Sequence, residues 1–238
     1  MLLFFAPDIL TVPTLPESES LHCVRVLRKQ AGDLLTVTDG RGNFFQTRIE
    51  DANPKACRVG IVAQTAVDPL PYRVEMAIAP TKNAERMDWL VEKATEIGVE
   101  RITFLRTRFS ERKDLKTDRL RKIVIAAMKQ SEKAFLPEVS AMTDFLTFIR
   151  QPFDGQKFIA HCYEGDKPLL SHICRPQTDT LLLIGPEGDF SKEEVTAAHA
   201  CGFQAVSLGT MRLRTETAAL NVCQTIHIIN QLHYDAAH

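Results

Sequence analysis

The fold of this 238-residue chain is decided by two glycine turns, Leu183-Ile184-Gly185-Pro186-Glu187-Gly188 and Leu208-Gly209-Thr210-Met211-Arg212-Leu213-Arg214-Thr215-Glu216-Thr217-Ala218. Each turn follows an apolar run typical of a buried strand, at residues 181–184 and 205–208, and leads into a helix with a polar start. Parallel strands bring their C-terminal ends and the following helix starts to one edge of a sheet, where glycine lets a ligand approach the main chain. The two turns therefore predict an α/β domain with a ligand site at that edge.

The composition is that of an ordinary globular protein, with 45% hydrophobic and 25% charged residues. No apolar run approaches the ~18 residues that a membrane span requires, and residues 1–5 lack a basic leader. We therefore expect a soluble, cytoplasmic protein with no membrane segment. The six cysteines are scattered without a close pair, so the sequence predicts neither a metal site nor a disulfide framework.

Charge is distributed unevenly along the chain. The formal net charge of -1 argues against a protein that is coated with positive charge for nucleic acid. The stretch from Arg101 to Lys133 nevertheless contains eleven basic and four acidic residues. Such a run is typical of a solvated helix face or of an anion-binding surface, and the charges alone leave both interpretations open.

A domain boundary is predicted at Val67-Asp68-Pro69-Leu70-Pro71, because two prolines interrupt any regular element there. Residues 1–68 are rich in short β segments separated by turns, which predicts a small β-barrel domain. Residues 72–238 alternate strands and helices, which predicts an α/β domain with a mostly parallel sheet. Its predicted strands also include 74–79, 102–105 and 158–162, and its predicted helices are 84–97, 117–134, 191–202 and 215–232.

Several familiar catalytic motifs are missing from the chain. It has no dinucleotide fingerprint, no phosphate loop and no histidine pair at zinc-protease spacing, and His161, His172 and His199 stand alone in the sequence. The first glycine turn by itself also fits an ordinary strand-to-helix connection. Arg212 and Arg214 are more informative, because cations just before a helix start are unfavourable unless they meet an anion. They predict a phosphate or carboxylate partner.

Further segments accompany the glycine turns: Asn83 to Val99, Ser110-Glu111-Arg112, and His22 with Val26-Leu27-Arg28 and Gly32-Asp33. With them, nearly the whole chain resembles the 16S ribosomal RNA uracil-N3 methyltransferases, a family of the SPOUT class. The resemblance implies a PUA-like, RNA-binding barrel, a SPOUT domain with a deep trefoil knot, and a homodimer. It also implies S-adenosylmethionine as the cofactor and 16S rRNA in the small ribosomal subunit as the partner. The methyl group would go to N3 of one uridine, position 1498 in the usual bacterial numbering.

The resemblance implies roles for individual residues. Cofactor contacts, mostly through backbone groups, are expected at Leu183, Ile184, Gly185, Pro186, Glu187, Gly188, Leu208, Gly209, Arg212, Leu213 and Thr217. Arg214 and Glu216 are the catalytic candidates: Arg214 would stabilise negative charge on the uracil, and Glu216 would take its proton through water or orient Arg214. RNA phosphates are expected at Arg25, Arg28, Lys29, Arg108, Arg112 and Lys113.

The chain departs from the usual family pattern at three places: the first arginine is displaced in Met211-Arg212, Asp189 replaces a second glycine, and Lys133 replaces an arginine. Two other functions remain open. One is a SPOUT enzyme that acts on another RNA, such as a transfer RNA ribose. The other is an RNA-binding assembly factor that retains the fold without catalysis. The barrel and residues 214–218 favour the uracil-N3 family.

Overall fold

The computed structural model describes residues 2–112 and 114–237. The chain divides into two compact units after Pro69, within the proline-rich segment. The first unit also includes Ile125–Leu136, and the second consists of Leu70–Val124 and the chain from Pro137 onward. The predicted domains, 1–68 and 72–238, did not assign residues 125–136 to the first unit.

The first unit is built on a four-stranded sheet. Its strands are β1 (Leu3–Phe5), β2 (Leu34–Thr38), β3 (Asn43–Asp51) and β4 (Arg58–Ala66), in the order β1-β2-β3-β4. β1 is parallel to β2, whereas the other neighbours are antiparallel. A short helix, α1 (Glu17–Leu21), continues into a π-helical turn (His22–Val26). Thr14 forms an isolated bridge to Arg58, so the segment after β1 reaches the opposite edge of the sheet.

The core of the first unit follows from the alternation of β3. Phe45, Thr47 and Ile49 are buried while Gln46 and Arg48 are exposed, the period of two that a strand with one buried face shows. Apolar side chains from residues 4 to 59 pack with this face, among them Phe4, Ile9, Leu15, Cys23, Val37, Cys57 and Val59.

Residues 125–136 join the first unit through backbone hydrogen bonds. The Gly42 N–H donates to the Ala134 carbonyl at 3.0 Å, and the Leu136 N–H donates to the Gly40 carbonyl at 2.9 Å. The Lys129 ammonium also pairs with the Glu19 carboxylate at 2.5 Å. These contacts join residues far apart in the sequence, which explains why local patterns did not indicate them.

The second unit alternates strands and helices around a six-stranded sheet. Its elements are β5 (Val74–Ile78), α2 (Ala84–Ile97), β6 (Arg101–Arg106), the first part of α3 (Thr117–Gln130), β7 (Glu138–Asp144), α4 (Phe145–Ile149), β8 (Gln156–Ala160), α5 (Leu170–Ile173), β9 (Thr180–Ile184), α6 (Lys192–Ala200), β10 (Gln204–Val206) and α7 (Thr215–Ala237). Every neighbouring pair of strands is parallel. The predicted α/β architecture is confirmed.

Some predicted elements differ in extent from those observed. The basic helix predicted over 117–134 ends at Gln130, because Glu132 adopts a left-handed conformation with φ of 53° that a helix cannot continue through. The predicted strand 205–208 ends at Val206. β1, α1, the π-helical turn, β7, α4 and α5 were not predicted. All except β7 have five residues or fewer, and partly exposed β7 lacks a strong apolar signal.

The strand order β10-β8-β9-β5-β6-β7 determines where a site can form. Because the strands are parallel and β10, β8 and β9 are neighbours, the three connections that follow them leave the same edge of the sheet. Among the helices that the structure describes, none is long and apolar enough to cross a membrane.

Candidate functional site

A cleft of about 1100 Å³ opens where β8, β9 and β10 end. Its lining includes the last residue of each strand, Ala160, Ile184 and Val206, and residues from the loop that follows each of them. Arg86 of α2 and the first residues of α7 complete the lining. Three neighbouring parallel strands thus bring three loops together in one concave site.

Most residues predicted for cofactor binding and catalysis line this cleft. These are Ile184, Gly185, Pro186, Glu187, Gly188, Leu208, Gly209, Arg212, Leu213, Arg214 and Glu216. Leu183 does not, because its side chain is fully buried in the hydrophobic core. Thr217 is exposed and lies outside the lining.

The turn after β9 leaves little space for a side chain at Gly185. A Cβ atom on Gly185 would lie 3.1 Å from the Phe190 nitrogen and 3.2 Å from the Asp189 carbonyl carbon. Asp189 has a φ of 65°, a conformation that glycine adopts freely and aspartate tolerates. Its carboxylate accepts hydrogen bonds from the Phe190 N–H at 2.8 Å and the Cys162 N–H at 2.7 Å. Asp189 therefore fits the glycine position and ties the turn to the loop after β8.

The turn leads directly into α6 through a capping box. Ser191 Oγ accepts from the Glu194 N–H at 3.2 Å, and Glu194 Oε2 accepts from the Ser191 N–H at 2.8 Å. The other carboxylate oxygen of Glu194 accepts from the Arg108 N–H at 2.8 Å. The buried Glu194 side chain thus joins the start of α6 to the loop between β6 and α3.

A second set of contacts holds the same loop. Arg112 Nη2 donates to the Lys82 carbonyl at 2.9 Å, and the Lys82 N–H donates to Glu187 Oε1 at 3.2 Å. Phe109 lies against Gly188, where an added Cβ would be 3.1 Å from the Phe109 Cβ. The loop that carries Arg108 and Arg112 is therefore attached to the glycine turn at several points.

The turn after β10 is open and carries two exposed cations. Gly209 has a φ of 117°, and an added Cβ there would meet no atom within 4 Å, so conformation rather than space favours glycine. Arg212 and Arg214 are exposed in the cleft lining. Neither guanidinium forms an ion pair with any residue in the described part of the chain. Both remain available to an anionic or electron-rich ligand.

Glu216 places a buried carboxylate beside these arginines in the sequence. It lies in the first turn of α7, where the helix dipole favours a negative charge, and only 5% of its surface is exposed. Glu216 Oε1 lies 3.6 Å from Arg86 Nε. Glu216 Oε2 is buried without a hydrogen-bond partner among the described residues. Arg86 was not among the predicted site residues.

The loop after β8 supplies further residues that the sequence analysis did not assign to the site, including His161, which it described only as standing alone in the sequence. His161, Cys162, Tyr163 and Lys167 all line the cleft. Burial lowers the pKa of the His161 imidazole, and nearby Lys167 acts in the same direction. Lys167 Nζ donates to the His161 carbonyl at 3.1 Å and also to the Tyr163 carbonyl. The sequence could have indicated these four cleft residues, because they follow a predicted buried strand, and the ends of parallel strands are where ligand sites form.

Two family models together match most of the chain. The model of an RNA methyltransferase domain matches residues 68–227, and that of an RNA methyltransferase PUA domain matches residues 15–62. The ribosomal RNA small subunit methyltransferase E of Synechocystis is 32% identical over 215 residues, which cover 86% of this chain and 69% of that protein. This chain belongs to the ribosomal RNA small subunit methyltransferase E family. The Mycobacterium tuberculosis member is 28% identical over 90% of this chain and 85% of its own length.

Solved structures agree with this membership in the methyltransferase E family. A protein described as a probable rRNA-methyltransferase from Porphyromonas gingivalis has 45% identity and a TM-score of 0.93, and the match covers 98% of this chain and 100% of that one. The Neisseria gonorrhoeae methyltransferase E, solved with S-adenosylmethionine, has 27% identity and a TM-score of 0.85 over 96% of this chain and 98% of that one. The α/β unit therefore has the SPOUT fold of this family.

The RNA-contact residues predicted for this methyltransferase E family member lie in two places. Arg25 and Arg28 are exposed and Lys29 is half-buried, within or just after the π-helical turn of the first unit. Arg108 is exposed and Arg112 half-buried in the loop between β6 and α3 of the second unit. Lys113 lies outside the described residues. Within residues 2–112 and 114–237, no group of three histidine, cysteine or acidic side chains could hold a metal ion.

Proposed function

We propose that this protein uses S-adenosylmethionine to methylate N3 of one uridine, position 1498, in 16S rRNA of the small ribosomal subunit. Membership in the methyltransferase E family supports rRNA methylation. Methylation at uridine N3 in particular is supported by the cleft, which is lined by exposed Arg214, buried Glu216 and the two glycine turns. This combination supplies a cation for a developing negative charge and a carboxylate for a proton.

The cleft fits the cofactor in size and chemistry. Its volume of about 1100 Å³ is sufficient for a nucleoside with an amino-acid tail. Space for a Cβ is tight at Gly185 and open at Gly209, and neither glycine carries a side chain that would cover the main chain of its turn. Neutral backbone donors and acceptors suit an adenine, whose edge is recognised by directional hydrogen bonds. We assign the cofactor to Ile184–Gly188 and Leu208–Leu213; when bound, it supplies an activated methyl group on a sulfonium.

The residues of the chain make the nucleophile available. Uridine N3 carries a proton and is a poor nucleophile until that proton leaves. The Arg214 guanidinium would stabilise the negative charge that develops on the uracil oxygens, which lowers the free energy of deprotonation. Glu216 would accept the proton, directly or through water, so that the electron pair stays on the ring. A fixed site for both groups also aligns the uracil with the methyl group.

The substrate and assembly belong to the same proposal. Residues 1–68 form the PUA-like RNA-binding domain and residues 72–238 the methyltransferase domain, with a deep trefoil knot. Arg25, Arg28, Lys29, Arg108, Arg112 and Lys113 would contact rRNA phosphates. A homodimer is supported by exposed apolar side chains on α2 and α7, since Trp89 is 46% and Leu232 64% exposed. A ribosomal substrate implies a cytoplasmic protein.

The test is methyl transfer from labelled S-adenosylmethionine to small ribosomal subunits that lack the modification, with the product nucleoside identified by mass spectrometry. We expect N3-methyluridine at a single site, and no incorporation into subunits that already carry it. Ribose methylation of a transfer RNA would instead support another SPOUT activity. Cofactor binding without transfer to any tested RNA would support the non-catalytic assembly factor.

A further inference from the structure

Arg86 occupies an unfavourable position for a cation. It lies in the first turn of α2 (Ala84–Ile97), where the helix dipole is positive. The helix start is already capped, because the Asn83 side chain accepts from the Glu85 N–H at 2.8 Å. Arg86 is therefore not explained by the stability of its own helix. Its side chain lines the cleft and is 36% exposed.

Glu216 explains the placement of Arg86. The two side chains form an ion pair between Arg86 Nε and Glu216 Oε1 at 3.6 Å. Glu216 is only 5% exposed, and a buried carboxylate is unfavourable without a cation or hydrogen-bond donors. Its second oxygen, Oε2, is buried without a hydrogen-bond partner in the described part of the chain. The ion pair thus places Oε1 beside a cation and leaves Oε2 without a partner among the described residues.

We propose that Arg86 is a positioning residue for methyl transfer: it holds Oε1 of Glu216 so that Oε2 is free to take the proton from uracil N3. This inference rests on the proposed function. The N3–H bond breaks, an O–H bond forms at Oε2, and the electron pair stays on the uracil ring, where N3 becomes the nucleophile. A buried acceptor without a partner is unusual in a folded protein, and a donor from the substrate would satisfy it.

The test compares Arg86→Gln, Arg86→Lys, Glu216→Gln and the double variant Arg86→Gln/Glu216→Gln. The control is Lys93→Gln, because Lys93 lies on the same helix and pairs with Glu92 and Glu96 but does not line the cleft. Four quantities are measured for each protein: the single-turnover rate at saturating subunits and cofactor, the KM for subunits, the Kd for S-adenosylmethionine, and the thermal unfolding midpoint.

Arg86→Gln is expected to lower the single-turnover rate about tenfold or more, the size of coupling that contacting residues show. The KM for subunits and the cofactor Kd should stay close to those of the unchanged protein. Arg86→Lys should recover part of the rate, because it keeps the charge but not the planar guanidinium. In protein that carries Glu216→Gln, Arg86→Gln should cause no further loss of rate. Lys93→Gln should leave the rate unchanged.

Two results would overturn the inference: an unchanged rate in Arg86→Gln, or an equal rate loss in the presence and absence of Glu216→Gln. The unfolding midpoints test the ion pair without activity, since Arg86→Gln should lower the midpoint more when Glu216 is intact. Equal shifts of the midpoint by Arg86→Gln in the presence and absence of Glu216→Gln would also overturn the inference. Full activity of Glu216→Gln would remove the catalytic assignment of Glu216 together with the inference. Failure of the unchanged protein to methylate rRNA would reject the proposed function and, with it, the role of Arg86 in methyl transfer, whereas the midpoints would still test the ion pair.

Discussion

Arg86 and Arg214 show how a residue's surroundings decide what the same guanidinium can do. Arg86 lies near the start of α2 and pairs with buried Glu216, whereas Arg214 precedes α7 and is exposed without an ion pair among the described residues. A cation at a helix start is unfavourable unless an anion compensates it. Arg86 has its anion within the protein. Arg214 is therefore the cation that remains available for charge that develops on a substrate.

Replacing Arg214 should separate catalysis from cofactor binding. We expect Arg214→Ala to lower kcat about 100-fold or more, because the cation no longer stabilises the uracil anion. The Kd for S-adenosylmethionine, measured by calorimetry, should change by less than about threefold, since the cofactor contacts are assigned mainly to backbone groups. Equal losses of kcat and cofactor affinity would identify Arg214 as a structural residue instead.

The free energy of unfolding should depend on pH through a single residue, His161. Burial and Lys167 lower the pKa of its imidazole, while Asp189 opposes them and His199 acts with them. Because the unfolded chain then binds more protons than the folded one, the free energy of unfolding should fall as the pH drops below about 6.5. His161→Asn should weaken this fall below about pH 6.5 in urea denaturation. His172→Asn, at an exposed position, is the control; identical pH slopes for His161→Asn and the unchanged protein would contradict the prediction.

At the scale of elements, the start of α6 connects the glycine turn to the loop between β6 and α3. Glu194 uses both carboxylate oxygens for backbone N–H groups, those of Ser191 and Arg108. The two donors bond to different oxygens, and a glutamine replaces one of these oxygens with an NH2 group, so one N–H would lose its acceptor. A glutamine would also complete the capping box. The second contact, to Arg108, is what requires a glutamate at this position.

Glu194→Gln should destabilise the protein and loosen the loop that carries Arg108. We expect a loss of about 1–3 kcal/mol in the free energy of unfolding, the effect of one buried N–H left without a partner. The affinity for small ribosomal subunits should fall while the cofactor Kd is retained. Glu193→Gln, at the exposed neighbouring position, should cost much less than Glu194→Gln. Equal losses for the two variants would show that the Arg108 contact contributes nothing.

On the scale of the whole molecule, the balanced charge conceals basic surfaces. The net charge of -1 includes 29 basic and 30 acidic residues, yet exposed arginines occur in the first unit at Arg25 and Arg28 and in the second at Arg108. Binding to RNA through phosphates depends on these local positive charges rather than on the net charge. The salt dependence of binding can therefore test whether the first unit contacts RNA.

The double variant Arg25→Ala/Arg28→Ala should reduce the slope of the logarithm of the binding constant against the logarithm of salt by about 1.5, the release of counterions from two phosphates. Binding to small ribosomal subunits would be measured by filter retention between low and physiological salt. Lys55→Ala/Arg150→Ala changes the net charge equally at two exposed positions outside the predicted contacts, and should leave the slope unchanged. Equal slopes for both double variants would exclude this part of the first unit from the RNA contact.

The sequence by itself determined the local structure and the family. Apolar spacing predicted a helix over 84–97, and the sequence predicted a second helix from residue 191; α2 (Ala84–Ile97) and α6, which is capped by Ser191, confirm both. Apolar runs before the glycine turns predicted β9 and β10, because buried strands and their turns depend on residues close together in the chain. The resemblance to the methyltransferase family was likewise visible in short segments of the chain, among them the two glycine turns and Asn83 to Val99.

Only the tertiary structure decided which distant residues meet. The order β10-β8-β9 placed His161 and Cys162 beside the two glycine turns, and the packing of α2 with α7 in the second unit brought Arg86 to Glu216. The first unit likewise acquired residues 125–136 through hydrogen bonds to Gly40 and Gly42. Local spacing reports burial and conformational preference, but strand order and ion pairing depend on contacts between segments far apart in the sequence, which no local pattern encodes.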